Sequence, residues 1–202
     1  MIEPDSARRD AVFADLRARL AEPHRRYHGQ AHVDALLADL DARRNAFHDA
    51  HAVELAVWFH DAVYAPGAAD NERASARLLR TAMAGLVHEP TLAAAEAMVL
   101  ATERHAVPPG LAEPLEADLA AFLDMDMAVL GAEPAAYDRY AAGVTAEFVP
   151  VVGEASYRMG RAAFLRGVLD GGRPLFHTDA ARAALERPAR ANLRRELDAL
   201  VR

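Results

Sequence analysis

The sequence predicts an all-α fold of about eight or nine helices in a single domain. Alanine, the strongest helix former and a poor strand former, supplies 48 of the 202 residues, whereas isoleucine occurs once. Apolar residues recur at helical spacing over most of the chain, and no alternating pattern of convincing length predicts a strand. A chain of this length suits one domain that buries a sizeable core.

Apolar spacing defines the first three helices. Residues 9–21 repeat apolar positions at helical spacing until Pro23 ends the pattern. The range 29–44 follows, with one valine and three leucines spaced to form a single stripe. The third helix, 50–64, is apolar nearly all round, which predicts a buried central helix.

Capping and breaking residues define the later helices. Their predicted ranges are 71–86 after an N-cap at Asp70 or Asn71, 90–105 opened by Pro90, 114–131 opened by Pro114, 134–148, 154–170 and 179–201. We expect the last helix to be kinked or split at Pro188, because proline removes a backbone hydrogen bond. A Gly-Gly-Arg-Pro stretch at 171–174 is the clearest late linker.

The composition excludes several chemistries. All 23 Lys+Arg residues are arginine, and the chain has no cysteine. It therefore has no lysine for a Schiff base or a P-loop, and no thiolate, disulfide, iron–sulfur cluster or zinc-finger set. Catalysis must depend on histidine, carboxylates, arginine, hydroxyls or a bound metal, and nine histidines are present.

The charge balance limits the partners. A net charge of −7 and an isoelectric point near 5.7 disfavour binding to a phosphate backbone. No run approaches the roughly 18–20 apolar residues that cross a bilayer, and no signal-peptide apolar segment is evident near the N-terminus. We expect a cytoplasmic protein with no nucleic-acid or membrane partner.

A histidine–aspartate pair in the third helix is the most informative feature. His60 lies three residues after Val57 and therefore shares the apolar face of its helix. Asp61 follows at once, and burying an unpaired carboxylate costs several kcal/mol. A divalent cation would compensate the pair, since imidazole and carboxylate both ligate first-row metals. The structural alternative is a core histidine bonded to a backbone carbonyl beside a salt-bridged aspartate.

Two further ionisable residues lie on inward helix faces. His32 precedes Leu36 at a four-residue step along the stripe of the second helix. Asp126 follows Phe122 by four residues, whereas Asp124 lies about 200° round the helix from Asp126 and should point elsewhere. Buried ionisable groups from three helices are more typical of a metal site than of independent accidents.

The order His32, His60-Asp61, Asp126 resembles the H…HD…D signature of the HD-domain superfamily of metal-dependent phosphohydrolases. Longer segments are similar to a small bacterial branch of predicted metal-dependent HD phosphohydrolases. They are Tyr27-His28-x-x-x-His32-Val33, Trp58-Phe59-His60-Asp61-x-Val63-Tyr64, Asp70-Asn71-Glu72-x-x-Ser75-Ala76, Thr102-x-x-His105, Phe122-Leu123-Asp124-x-Asp126 and Glu186-x-x-Ala189-Arg190-x-Asn192-Leu193. The resemblance implies one HD-type helical domain, 1–202, with its motif-bearing core over about 24–131 and helices of 132–202 packing on it.

The resemblance also implies a ligand set and a reaction. His32, His60, Asp61 and Asp126 would ligate a divalent ion, with Mn, Fe, Co, Ni, Zn or Mg as candidates. By analogy Asp124 stays an alternative to Asp126, since both match the motif. Metal-activated water would hydrolyse a phosphomonoester or phosphodiester of a nucleotide or another small metabolite.

The expected catalytic residues are Asp61, Glu72, His28 and His105. Glu72 would position or deprotonate the attacking water; alternatively, it is an ordinary acidic residue in the first turn of a helix. His28 and His105 would bind phosphate, protonate the leaving oxygen or hold a second metal. Their structural alternatives are a surface turn for His28 and a helix C-terminus for His105.

Other functions remain open. Bidentate donors for phosphate are available on Arg25, Arg26 and Arg104. The main alternative to an enzyme is a non-catalytic metal- or nucleotide-binding regulatory HD module. A helical DNA-binding regulator lacks an evident recognition helix, and a di-iron bundle would need Glu-x-x-His pairs that the chain does not contain. The alanine-rich late helices leave a homodimer open.

Overall fold

The computed structural model describes residues 4–201 and is all-helical over that range. Nine α-helices and no strand occur within it, which confirms the predicted fold class. None of these described helices is both long enough and apolar enough to span a membrane. Contacts between Cα atoms divide the chain into two compact units, one up to Phe122 and one from Leu123 onward.

The first unit is organised around its third helix. Its helices are α1 Pro4–Leu20, α2 Gln30–Arg43, α3 Ala50–Phe59, α4 Asn71–Met83, α5 Glu89–Ala101 and the larger part of α6 Glu113–Met127. Helix α3 contacts α2, α4 and α5, and Val53, Val57 and Phe59 are fully buried along it. The predicted buried central helix is confirmed.

Helix α3 ends at Phe59, so the prediction that it extends to residue 64 is wrong. The His60 amide still bonds to the Ala56 carbonyl, but the Ala62 amide bonds to Phe59, three residues back. The chain tightens into a turn there. Consequently His60 caps the helix and Asp61 lies beyond it, instead of both lying in mid-helix.

Helix α5 also ends early, at Ala101 instead of His105. The hydroxyl of Thr102 donates to the Val99 carbonyl, and the amide of Glu103 bonds to Leu100 at a three-residue spacing. Both bonds reach back three residues and so replace the four-residue spacing of an α-helix. His105 then adopts a φ of 44°, in the left-handed region that histidine enters more readily than most residues.

The second unit contains three long helices and the end of α6. These helices are α7 Pro134–Val152, α8 Glu154–Asp170 and α9 Asp179–Leu200, and a 3-10 turn over Ala128–Gly131 precedes them. Helix α9 continues through Pro188, so it is not split there, and the other predicted outcome, a kink, stays a prediction. Buried Ala189 and Leu193 hold it on the core, and this packing outweighs one missing hydrogen bond. Gly131 allows the 3-10 turn to approach α9 closely, because a Cβ on Gly131 would lie 2.8 Å from the Leu185 Cβ.

Candidate metal centre

Three of the predicted ligands converge in the first unit, and we call His32, His60 and Asp61 the triad. The Nε2 atoms of His32 and His60 lie 3.3 Å apart, and Nε2 of His60 lies 3.1 Å from Oδ2 of Asp61. One ligand atom from each residue falls within 4.8 Å of the others. Three lone-pair donors from two helix regions therefore point to a common volume.

Local structure positions both imidazoles. His32 is 8% exposed and lies on the α2 stripe with buried Leu36. His60 is 2% exposed, and its Nδ1 lies 3.0 Å from the Val57 carbonyl oxygen. Because a carbonyl oxygen only accepts hydrogen bonds, Nδ1 of His60 carries the proton. In the neutral form of the ring, the lone pair is therefore on Nε2, the atom that faces His32 and Asp61.

The triad fits a divalent ion. Two adjacent ligand atoms held roughly 2.1 Å from one metal lie about 3.0 Å apart at a right angle. The measured separations of 3.1 and 3.3 Å are close to that value. Two imidazoles and a carboxylate also form a donor set that first-row metals accept. The structural alternative also contains the carbonyl bond of His60, and in it a hydrogen bond between the two Nε2 atoms would join the imidazoles.

Aromatic rings surround the two imidazoles. The ring centroid of Tyr27 lies 4.9 Å from that of His32, and the Phe122 ring lies 6.0 Å from that of His60. His28 belongs to the same layer, with its ring 6.4 Å from His32 and 4.5 Å from Tyr64. The structure thus brings His28, half-buried, beside the triad.

Arg25 has a position that sequence reasoning missed. Its side chain is 1% exposed, and its guanidinium donates to the carbonyl oxygens of His28, Asp61 and Ala62. Nε of Arg25 also bonds to Glu22. These backbone bonds engage guanidinium donors that would otherwise be available to phosphate. No sequence signal separates Arg25 from 22 other arginines, because its partners in the turn after α3 lie 36 and 37 residues away.

The first turns of α4 hold the chain that follows Asp61. Buried Ser75 contacts both the amide and the carbonyl of Val63, and Asn71 does the same for Ala65. Glu72 precedes Ser75 by three residues and therefore lies on the same side of the helix. Half-buried Glu72 thus shares the side of α4 on which Ser75 contacts Val63.

The turn after α5 contacts the same end of α4. Arg73 and Glu103 form an ion pair at 3.0 Å. His105 follows two residues later and is half-buried. The contact places the segment that leads to His105 next to the helix start that carries Glu72.

The two candidate aspartates of α6 have different surroundings in the second unit. The Asp124 carboxylate is buried and accepts hydrogen bonds from the amides of His177 and Thr178, at 2.6 and 2.8 Å. It thereby satisfies backbone donors just before α9, which gives Asp124 a structural role. Asp126 is half-buried, and its role as a ligand stays a prediction.

Compared with known proteins, the chain matches no family model, no curated protein and no solved structure. The likeness to HD phosphohydrolases therefore depends on the order and spacing of motifs within the sequence. The geometry of the triad is a separate observation that does not depend on that likeness.

Proposed function

We propose that this chain is a metal-dependent phosphohydrolase that acts on a phosphomonoester or phosphodiester of a nucleotide or another small metabolite. The observation that carries the proposal is the convergence of His32, His60 and Asp61. Nε2 of His60 lies 3.3 Å from Nε2 of His32 and 3.1 Å from Oδ2 of Asp61. The motif order of the sequence supports the same reaction class.

The triad residues would hold the ion through their three lone-pair atoms. When bound, a divalent ion activates water and neutralises charge on a phosphoryl oxygen. His60 is suited to this role because its Nδ1 proton is directed to a backbone carbonyl, which fixes the ring orientation. Asp126 is the fourth ligand that the motif order predicts.

Nearby residues would complete the reaction. Glu72 shares the side of α4 on which Ser75 contacts Val63, and we propose it as the group that positions or deprotonates the attacking water. His28 lies within ring contact of His32, and we propose that it contacts the phosphate or protonates the leaving oxygen. His105 has the same proposed roles, on the weaker basis of its motif and the contact between Arg73 and Glu103.

Elemental analysis of the purified protein followed by a hydrolysis screen tests the proposal. The screen uses phosphomonoesters and phosphodiesters, each with Mn, Fe, Co, Ni, Zn and Mg. We expect turnover with at least one metal, lost in Asp61→Asn and retained in Asp39→Asn, which changes an α2 carboxylate whose side chain is 42% exposed and paired with Arg43. A protein that holds metal and hydrolyses nothing would instead support the regulatory module. A protein that holds no metal, and stays inactive with every ion, contradicts both.

A further inference from the structure

Asp61 is the triad residue with the least local support. His32 lies inside α2 and His60 caps α3, so helix geometry orients both imidazoles. Asp61 projects from the turn beyond α3, where the α-helical pattern has ended and the Ala62 amide bonds to Phe59, three residues back. Its position depends on groups that hold this turn from outside.

Arg25 is the group that holds the backbone at Asp61 itself. Its Nη1 atom donates to the Asp61 carbonyl at 2.7 Å, and Nη2 donates to the Ala62 carbonyl at 3.2 Å. Nη1 also reaches the carbonyl of His28 at 2.9 Å. One rigid, planar group therefore joins the segment before α2 to the turn after α3.

The surroundings of Arg25 compensate its buried charge. The Glu22 carboxylate lies 3.1 Å from Nε, and the Tyr64 ring centroid lies 5.3 Å from the guanidinium carbon. A buried cation without such partners would be costly. A lysine could supply the charge but not the flat fork that reaches two successive carbonyls.

We propose that Arg25 is a positioning residue for the metal centre: it fixes the backbone of Asp61 so that its carboxylate faces Nε2 of His60. This inference rests on the proposed function, because it requires that the triad hold a metal. Outer groups that orient metal ligands typically contribute about tenfold to hundredfold to metal affinity. Replacing the fork should therefore weaken metal binding within that range.

Cobalt(II) titration of Arg25→Lys tests the inference, with the visible absorption of the bound ion as the readout and metal-free melting measured alongside. The matched control is Ser75→Ala, which loosens the same turn at Val63 and leaves the Asp61 carbonyl bond intact. We expect Arg25→Lys to bind cobalt about tenfold to hundredfold more weakly, with an altered absorption spectrum at saturation. Ser75→Ala should be less stable than wild type and should keep the wild-type affinity and spectrum.

Every other outcome overturns the inference in an identifiable way. Wild-type affinity and spectrum in Arg25→Lys would show that the guanidinium does not position Asp61. Equal affinity losses in both variants would show a general effect of loosening the turn. If neither Arg25→Lys nor Arg25→Gln folds, Arg25 is a folding requirement instead of a positioning residue. A wild-type protein that binds no cobalt or other divalent ion removes the metal centre, and with it the proposed function.

Discussion

Two buried polar clusters of this chain differ in how their charges are balanced. In the second unit, both oxygens of the Glu196 carboxylate accept from Arg161, at 2.8 and 3.0 Å, and the Tyr137 hydroxyl also donates to it. We call these three residues the ion-pair cluster. The triad of the first unit instead brings two imidazoles and a carboxylate to a common point. The ion-pair cluster joins an arginine to a carboxylate, whereas the triad brings together three residues of the types that ligate metals.

The difference shows why burial of polar groups alone does not identify a site. Burying Arg161 and Glu196 is tolerable because each neutralises the other, and such a pair contributes to structure without any ligand. The triad shows the composition that a cation completes. The chemical type of the buried groups and the direction in which they point, more than their degree of burial, distinguish a structural cluster from a candidate metal centre.

The largest expected effect follows from breaking the ion-pair cluster. Glu196→Ala leaves the Arg161 guanidinium with 9% exposure and no carboxylate, and we expect a loss of about 3–5 kcal/mol in the free energy of unfolding. Urea denaturation measures the loss. Asp138→Ala is the control, because it removes an exposed partner of Arg195 and should cost no more than about 1 kcal/mol. Similar losses in both variants would contradict the proposed difference between the clusters.

Removing a residue of the triad should weaken metal binding. We expect His60→Ala to bind cobalt more than about a hundredfold more weakly than wild type, because a direct ligand contributes more than the outer groups that orient it. Metal content after purification and cobalt titration both report the loss. His51→Ala removes an exposed histidine from the same helix and should bind like wild type. Equal binding by His60→Ala would show that the triad is not the metal centre.

The positions of the triad histidines could be predicted from the sequence, but the backbone that carries Asp61 could not. Helical spacing directed His32 and His60 inward, because residues four apart share a helix face. The turn after Phe59 is held instead by Arg25 and Ser75, whose contacts with it span 36 and 12 residues. Local propensity carries no information about such distant partners.

The ion-pair cluster shows the same limit. Arg161 and Glu196 lie 35 residues apart in two different helices, so spacing within either helix does not pair them. Pro188 is the opposite case, since its local signal favours an interruption and α9 nevertheless continues through it. Prediction succeeded where a residue's role follows from its own helix, and failed where another segment decides it.

A smaller effect distinguishes the two aspartates of α6. Asp124→Asn removes the charge that accepts from two backbone amides, and we expect it to cost about 2 kcal/mol of unfolding free energy. Metal content should not change. Asp126→Asn is the paired variant, for which the motif order predicts weaker metal binding. The reverse pattern, with metal lost only in Asp124→Asn, would make Asp124 the ligand.

The smallest expected effect is a dependence of stability on alkaline pH that arises in the ion-pair cluster. Burial and the hydrogen bond with Glu196 raise the pKa of Tyr137 well above its usual value near 10. The folded state therefore keeps a proton that the unfolded state loses above that pH. The contribution of Tyr137 is constant below pH 10 and declines as pH rises beyond it, by about 1.4 kcal/mol at pH 11.

Tyr137→Phe separates this effect from the titration of the rest of the chain. The variant is less stable at neutral pH because the hydroxyl bond is lost, but its stability should fall less steeply between pH 10 and 11, since one fewer proton is released on unfolding. Burial also raises the pKa of Tyr140, so a residual slope should remain. Urea unfolding at a series of pH values measures both slopes. Parallel curves for wild type and variant would mean that Tyr137 ionises alike in the folded and unfolded states, and that the ion-pair cluster does not hold its proton.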